Sequence, residues 1–128
     1  MFRLPLDSPW RRLGRVAFWA TLAVVVTMAL LPGNDSPSFP WSDKVNHFSA
    51  FAVLTALARF AYPGRRGWTI LAAMLGVGVG IELLQALPVI GRDAEIGDVV
   101  ADLSGALTVL VIHRLTRGKR RVDLQEQS

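Results

Sequence analysis

The chain contains no cysteine among its 128 residues, and only 19% of the residues are charged. Without thiols, disulfide bonds and thiolate metal sites are excluded, so any binding or catalytic group must use oxygen or nitrogen atoms. Hydrophobic residues make up 52% of the chain, and the mean hydropathy is +0.38. A single domain this rich in apolar residues and this poor in charge is typical of an integral membrane protein.

Four long apolar runs are separated by short segments that contain proline and glycine. The runs cover residues 16–31, 45–62, 68–90 and 99–115. Each run is close to the roughly 20 residues that cross a bilayer, and short connections favour antiparallel neighbours. We therefore predict an all-α, polytopic membrane protein with four transmembrane helices in an antiparallel bundle. The predicted parts are a basic N-terminal segment at 1–15, a membrane domain at 16–115 and a basic tail at 116–128.

All but two of the 14 basic residues fall on ends of the runs that alternating topology places on one side of the membrane. The two exceptions are Lys44 and Arg92. Because cytoplasmic ends carry the excess of lysine and arginine, we predict a multi-pass protein of the bacterial cytoplasmic (inner) membrane with both termini in the cytoplasm. The basic termini are expected to meet anionic lipid of the inner leaflet. The sequence contains no recognisable nucleic-acid-binding motif, so no nucleic-acid partner is expected.

Polar residues within the runs collect near the predicted outer surface. His47 follows Asp43 by four residues on one helix face, and Asp102 lies one turn below Asp98. At about 1.5 Å of rise per residue, Glu82 lies in the outer third of its helix. An acid inside a membrane helix costs about 2.5–3.5 kcal/mol on insertion scales, so such a residue is a candidate for function. The predicted ligand-binding pocket comprises Asp43, Lys44, His47, Glu82, Gln85, Arg92, Asp98 and Asp102.

Small residues accompany these polar residues in the third and fourth runs. They are Ala72, Gly76, Gly78 and Gly80 in the third run, and Ser104, Gly105 and Ala106 in the fourth. Small residues let membrane helices approach closely, which would allow Glu82 and Asp102 to lie close together. Two neighbouring carboxyl groups form an arrangement that is able to share a proton.

Structural roles also fit several of these residues. Ser42 or Asp43 suits the N-terminal cap of the second helix, and Asp98 suits that of the fourth. His47 suits a hydrogen bond at headgroup depth, and Arg92 suits an interfacial anchor or a counter-ion for the acids. These interpretations stand beside the pocket hypothesis.

The segments "DKVNHF" and "IELLQALPVIGRDAEIGDVVADLSG" resemble the VanZ-like family of small bacterial membrane proteins. The resemblance covers about residues 42–105. It relates the family's motif positions to Asp43, Lys44, His47, Phe48, Glu82, Gln85, Arg92, Asp98, Asp102 and Gly105. The chain departs from the pattern at Asp102, where the family has asparagine. The family is named for a protein linked to low-level resistance to the glycopeptide teicoplanin, so the resemblance implies a connection with antibiotic resistance and the cell envelope but no agreed activity.

We expect the pocket to bind the headgroup of a membrane lipid or of an envelope-precursor lipid. Arg92, Lys44 and His47 would contact phosphate, while Glu82, Gln85 and Asp102 would contact sugar, peptide or amine groups. The alternative is an intramembrane enzyme that modifies such a lipid by acid/base chemistry. A transporter would require the four helices to form a homo-oligomer around a shared path. We expect no metal and no cofactor, because no ligand spacing is diagnostic, although carboxylates and imidazole suit divalent ions.

Overall fold

The computed structural model describes residue 5 and residues 7–32 and 43–128. Those residues form α1 (Pro9–Leu30), α2 (Asp43–Ala61), α3 (Gly67–Gln85) and α4 (Ile96–Glu126), with no strand among them. The predicted all-α class and the four helices are confirmed for this part of the chain. The predicted loop between the first two helices lies mostly outside the described residues.

The first helix begins well before the apolar run that predicted it. Ser8 is its N-terminal cap, since the Ser8 side chain accepts a hydrogen bond from the Arg11 backbone N–H at 3.3 Å. Pro9 occupies the first turn, where the missing N–H costs nothing. The Arg11 guanidinium donates to the backbone carbonyl of Phe60, near the end of α2. The predicted boundary between residues 15 and 16 therefore falls inside α1.

The other helix ends also differ from the apolar runs. The third helix ends at Gln85, and the turn that follows contains Pro88 and Gly91, whose φ of 64° is easily adopted by glycine. The fourth helix continues to Glu126, so most of the predicted basic tail at 116–128 extends α4. Polar side chains do not end a helix, and hydropathy alone therefore placed this boundary too early.

Three of the four helices in the described part are long and apolar enough to cross a membrane, namely α1, α3 and α4. The prediction of four such helices is shown for three of them, and α2 is not apolar enough by the same measure. Lys44, Asn46, His47 and Arg59 lower the hydropathy of α2. These residues are tolerated because α2 packs mainly between α1 and α4, where several of them find protein partners. Three apolar helices are compatible with a multi-pass membrane protein.

Contacts at both ends of the bundle define the helix directions. At one end, Arg11 of α1 reaches Phe60 of α2, and Arg59 near the end of α2 lies 3.2 Å from Nδ1 of His113 in α4. At the other end, Lys44 in α2 pairs with Asp98 in the first turn of α4, and Glu82 near the end of α3 accepts a hydrogen bond from the residue that caps α4. Consecutive helices are therefore antiparallel, and α2 and α4 are parallel neighbours. Their shared core contains buried apolar side chains from all four helices, including Phe18, Phe51, Leu54, Met74, Ile81 and Ala106.

Two glycines allow the close helix contacts that position the polar residues. A Cβ at Gly105 would overlap the backbone carbonyl of Phe48, so α2 and α4 approach closely there. A Cβ at Gly78 would lie 2.8 Å from Oδ2 of Asp102. The predicted role of Gly76 and Gly80 finds no support among residues 5, 7–32 and 43–128, since a Cβ at either would meet none of their atoms within 4 Å. The α3 contact with α4 therefore uses the face of Gly78.

Candidate functional site

An imidazole surrounded by carboxylates lies where α2 and α4 begin. Nδ1 of His47 lies 2.8 Å from Oδ1 of Asp102, which is 1% exposed. Nε2 of His47 lies 3.7 Å from Oδ2 of Asp98 and 3.9 Å from Oδ2 of Asp43. The i,i+4 spacing on α2 brings Asp43 over His47, and the close approach at Gly105 brings His47 onto α4. Three acids predicted for the pocket thus surround one histidine.

Lys44 links the start of α2 to the start of α4 through two ion pairs. Its Nζ donates to Oε2 of Glu95 at 2.8 Å and to Oδ1 of Asp98 at 3.2 Å. Gly97 leaves the room that this side chain needs, because a Cβ there would lie 3.1 Å from Lys44 Nζ. The Lys44 ammonium lowers the pKa of Glu95, which lies between the helices. Sequence reasoning missed Glu95, and its only signal was the i,i+3 spacing to Asp98.

Glu82 is hydrogen-bonded to the backbone at the start of α4. Its Oε2 accepts a hydrogen bond from the Glu95 backbone N–H at 2.8 Å, and Glu95 is the N-terminal cap residue of α4. Asp98 is therefore in the first turn of α4 and is not its cap. No hydrogen bond joins Glu82 to Asp102 in the described part of the chain. Glu82 Oε1 and Asp102 Oδ2 are each buried there without a hydrogen-bond partner.

Gln85 and Arg92 both bind the end of α1. The Gln85 amide and the Arg92 guanidinium donate to the backbone carbonyl of Ala29 at 2.7 Å and 3.1 Å. A carbonyl in the last turn of a helix lacks an intrahelical partner, so these two donors satisfy it. They connect α1 with the end of α3 and with the segment that follows α3.

A cavity of about 550 Å³ lies between α1, α2 and α3. Apolar side chains from α1, α2 and α3 line it, including Val25, Met28, Phe51 and Ile81, together with polar side chains from α2, α3 and the segment after α3. The cavity divides the predicted pocket into two groups. Four predicted residues line it, namely Asp43, His47, Gln85 and Arg92. The other four do not line it: Glu82, Asp98 and Asp102 are buried, and the exposed Lys44 pairs with Asp98.

The donor atoms of Asp43, His47 and Asp98 could hold a metal ion, since they all lie within 4.8 Å of one another. Their oxygen and nitrogen chemistry suits a divalent cation. Comparison with protein-family models, with curated proteins and with solved structures gave no match. The resemblance to the VanZ-like family therefore remains a hypothesis based on the motifs themselves.

Proposed function

We propose that the protein binds a lipid or a lipid-linked envelope precursor in the cavity between α1, α2 and α3. The observation that carries this proposal is the mixed lining of the cavity. Apolar side chains of α1, α2 and α3 line it together with polar groups that include Asp43, His47, Gln85 and Arg92. An apolar cavity on which a few polar groups converge matches a molecule with a headgroup and a hydrocarbon chain.

The headgroup chemistry follows from which polar groups face the cavity. Arg92 provides a guanidinium, which suits phosphate, and Gln85 provides an amide. Asp43 and His47 suit hydroxyl or amine groups of the headgroup. Lys44 is held by Glu95 and Asp98, so phosphate recognition in this proposal relies on Arg92 rather than on Lys44.

The membrane orientation of the cavity is part of the same proposal. Arginines collect at the end of the bundle opposite the cavity, where a second cavity of about 700 Å³ is lined by Arg59, Arg114, Arg117 and Arg121. The exposed side chains of Trp10 and Trp68 lie at that end, as expected for an interfacial aromatic belt. We assign that end to the cytoplasm and to contact with anionic lipid. In this arrangement α2 completes a four-helix bundle in the bacterial inner membrane, and the lipid cavity faces outward.

The test compares two phenylalanine substitutions on α2. Ala50 lines the cavity, whereas Ala56 is exposed on the same helix and does not line it. Each variant and the wild type are purified from native membranes, and mass spectrometry identifies the lipids that remain bound. We expect wild type and Ala56→Phe to retain the same lipid species and Ala50→Phe to lose it. Equal retention by all three proteins would show that the cavity does not hold the lipid.

A second variant tests the headgroup contact. Arg92→Gln keeps a hydrogen-bond donor at this position but removes the positive charge. We expect it to retain less of any lipid that carries phosphate, because a charge-assisted hydrogen bond is replaced by a neutral one. Unchanged retention of phosphate lipids would contradict the proposed role of Arg92.

An intramembrane enzyme is the second candidate, and the His47–Asp102 pair favours it. When Nδ1 of His47 donates to Asp102, the imidazole is oriented and Nε2 is left to accept a proton, as in an oriented general base. An enzyme would generate new lipid masses that appear with wild type and disappear with His47→Gln. Retention of chemically unchanged lipid would instead support the binding function. The link to glycopeptide resistance rests on the VanZ-like resemblance and is tested by teicoplanin sensitivity after deletion of the gene.

A further inference from the structure

We propose that Asp43, His47 and Asp98 bind one divalent metal ion of the zinc or manganese class. The three residues come from the first turns of α2 and α4, which are more than 30 residues apart in sequence. Their spacing therefore gives no metal motif, and only the fold brings the three donors together. The proposal does not depend on which lipid occupies the neighbouring cavity.

The donor geometry fits a shared ion. Ions of this class bind oxygen and nitrogen at about 2.0–2.2 Å, so two ligands of one ion lie roughly 3 to 4.4 Å apart. Nε2 of His47 is 3.7 Å from Asp98 Oδ2 and 3.9 Å from Asp43 Oδ2. The three donors all lie within 4.8 Å of one another. Small side-chain rotations are sufficient to place all three around one ion.

The second nitrogen of His47 has the partner that metal-binding histidines usually have. A ligating histidine generally donates its other ring N–H to a carboxylate or carbonyl, which fixes the ring and increases its basicity. Nδ1 of His47 lies 2.8 Å from the buried Asp102 carboxylate. This contact leaves Nε2, on the side of Asp43 and Asp98, as the free electron pair for an ion.

The charges of the surrounding network also call for a cation. Five carboxyl groups belong to this network, and one lysine ammonium pairs with two of them. The five acids are Asp43, Glu82, Glu95, Asp98 and Asp102. Lys44 contacts Oδ1 of Asp98, whereas Oδ2 of the same nearly buried side chain is directed to His47. A bound divalent ion balances this excess of negative charge where desolvation makes it costly.

The imidazole nitrogen and the carboxylate oxygens together indicate which metal ions would bind. Imidazole suits zinc and related transition metals, carboxylates suit manganese as well, and calcium or magnesium favour all-oxygen sites. Three protein ligands leave at least one coordination position open. Asp43 and His47 also line the cavity, so the open position lies beside the space proposed for the lipid headgroup.

The test is isothermal titration calorimetry of the full-length protein in detergent, with ZnCl₂ in one titration and MnCl₂ in another. We expect one ion per chain for wild type. Asp43→Asn should weaken binding at least about tenfold, and it should fold because Asp43 is exposed. The matched control is Asp93→Asn, which removes an exposed acid nearby and should leave the affinity unchanged.

Lys44→Gln should change the metal affinity in the opposite direction to Asp43→Asn. It removes the cation that competes for Asp98, so zinc or manganese should bind more tightly than to wild type. A purely structural cluster predicts no such gain. Absence of binding by wild type, an equal loss in Asp93→Asn, or weaker binding in Lys44→Gln would each overturn the proposal.

Discussion

The contact between α2 and α4 at Gly105 should be the most sensitive packing position in the protein. A Cβ at residue 105 would overlap the Phe48 carbonyl oxygen and lie 3.1 Å from the Ala52 backbone nitrogen. Both neighbours are backbone atoms, so neither can rotate away, and the two helices must separate. Overpacking of this kind costs about 1–3 kcal/mol, which is roughly a 5- to 150-fold change in the unfolding equilibrium.

The matched control is Gly76→Ala in α3. A Cβ at Gly76 meets nothing within 4 Å in the described part of the chain, so this variant changes mainly helix propensity, which favours alanine by about 1 kcal/mol. Gly105→Ala receives the same propensity gain, and the difference between the two variants therefore isolates the packing cost. Reversible unfolding in mixed detergent micelles, followed by circular dichroism, measures it. Equal stability of Gly105→Ala and Gly76→Ala would refute the close approach of α2 and α4.

Gly105→Ala should also disturb the geometry of the polar site. Gly105 lies three residues after Asp102, and Phe48 directly follows His47. Separation of the two helices lengthens the 2.8 Å contact between His47 and Asp102. We therefore expect Gly105→Ala to weaken zinc or manganese binding, while Gly76→Ala leaves it unchanged.

Three further predictions concern other contacts. Gly78→Ala should displace the Asp102 carboxylate, which a Cβ would meet at 2.8 Å, and weaken metal binding in the same titration. Because the Lys44 ammonium lowers the pKa of Glu95, that pair stabilises the fold above the ordinary pKa of 4.5 and loses its effect as pH falls through the lowered value. Glu95→Gln should therefore be less stable than wild type at neutral pH and equal to it in strong acid, and equal sensitivity to the mutation at both pH values would contradict the ion pair. The chain lacks cysteine, so single cysteines introduced at positions 93 and 118 can be labelled in whole cells with an impermeant maleimide. We expect labelling at position 93 only, and labelling at position 118 would indicate the opposite membrane orientation.

The helices were predictable because their apolar runs are long and are interrupted by proline and glycine. The exact ends were not, because capping and helix propensity act on polar residues that hydropathy scores as loop. Ser8 and Pro9 start α1 before its apolar run, and the polar continuation of α4 remains helical to Glu126. The position of each polar residue along its helix followed from the rise per residue alone. This explains why His47 and Asp102 were each predicted about one turn below the start of the helix.

The partners of the polar residues could not be predicted from depth. Depth fixes the position along a helix but leaves the rotation of each helix open, and rotation decides which groups touch. No spacing predicted that the Glu82 carboxylate would accept a hydrogen bond from the Glu95 backbone at the start of α4. Gln85 and Arg92 were predicted to line the pocket, and both also bind the Ala29 carbonyl, a partner that no motif indicated. These contacts depend on tertiary packing that no spacing in the sequence encodes.

The most direct test of the proposed function is to identify what occupies the cavity in a living membrane. A photoreactive benzoylphenylalanine replaces Ala50 in the cavity wall, and a second protein carries it at the exposed Ala56 as a control. After irradiation of intact cells, mass spectrometry identifies the adducts. We predict one lipid class enriched at position 50 and a mixture of bulk membrane lipids at position 56. The same bulk mixture at both positions would contradict a selective lipid site.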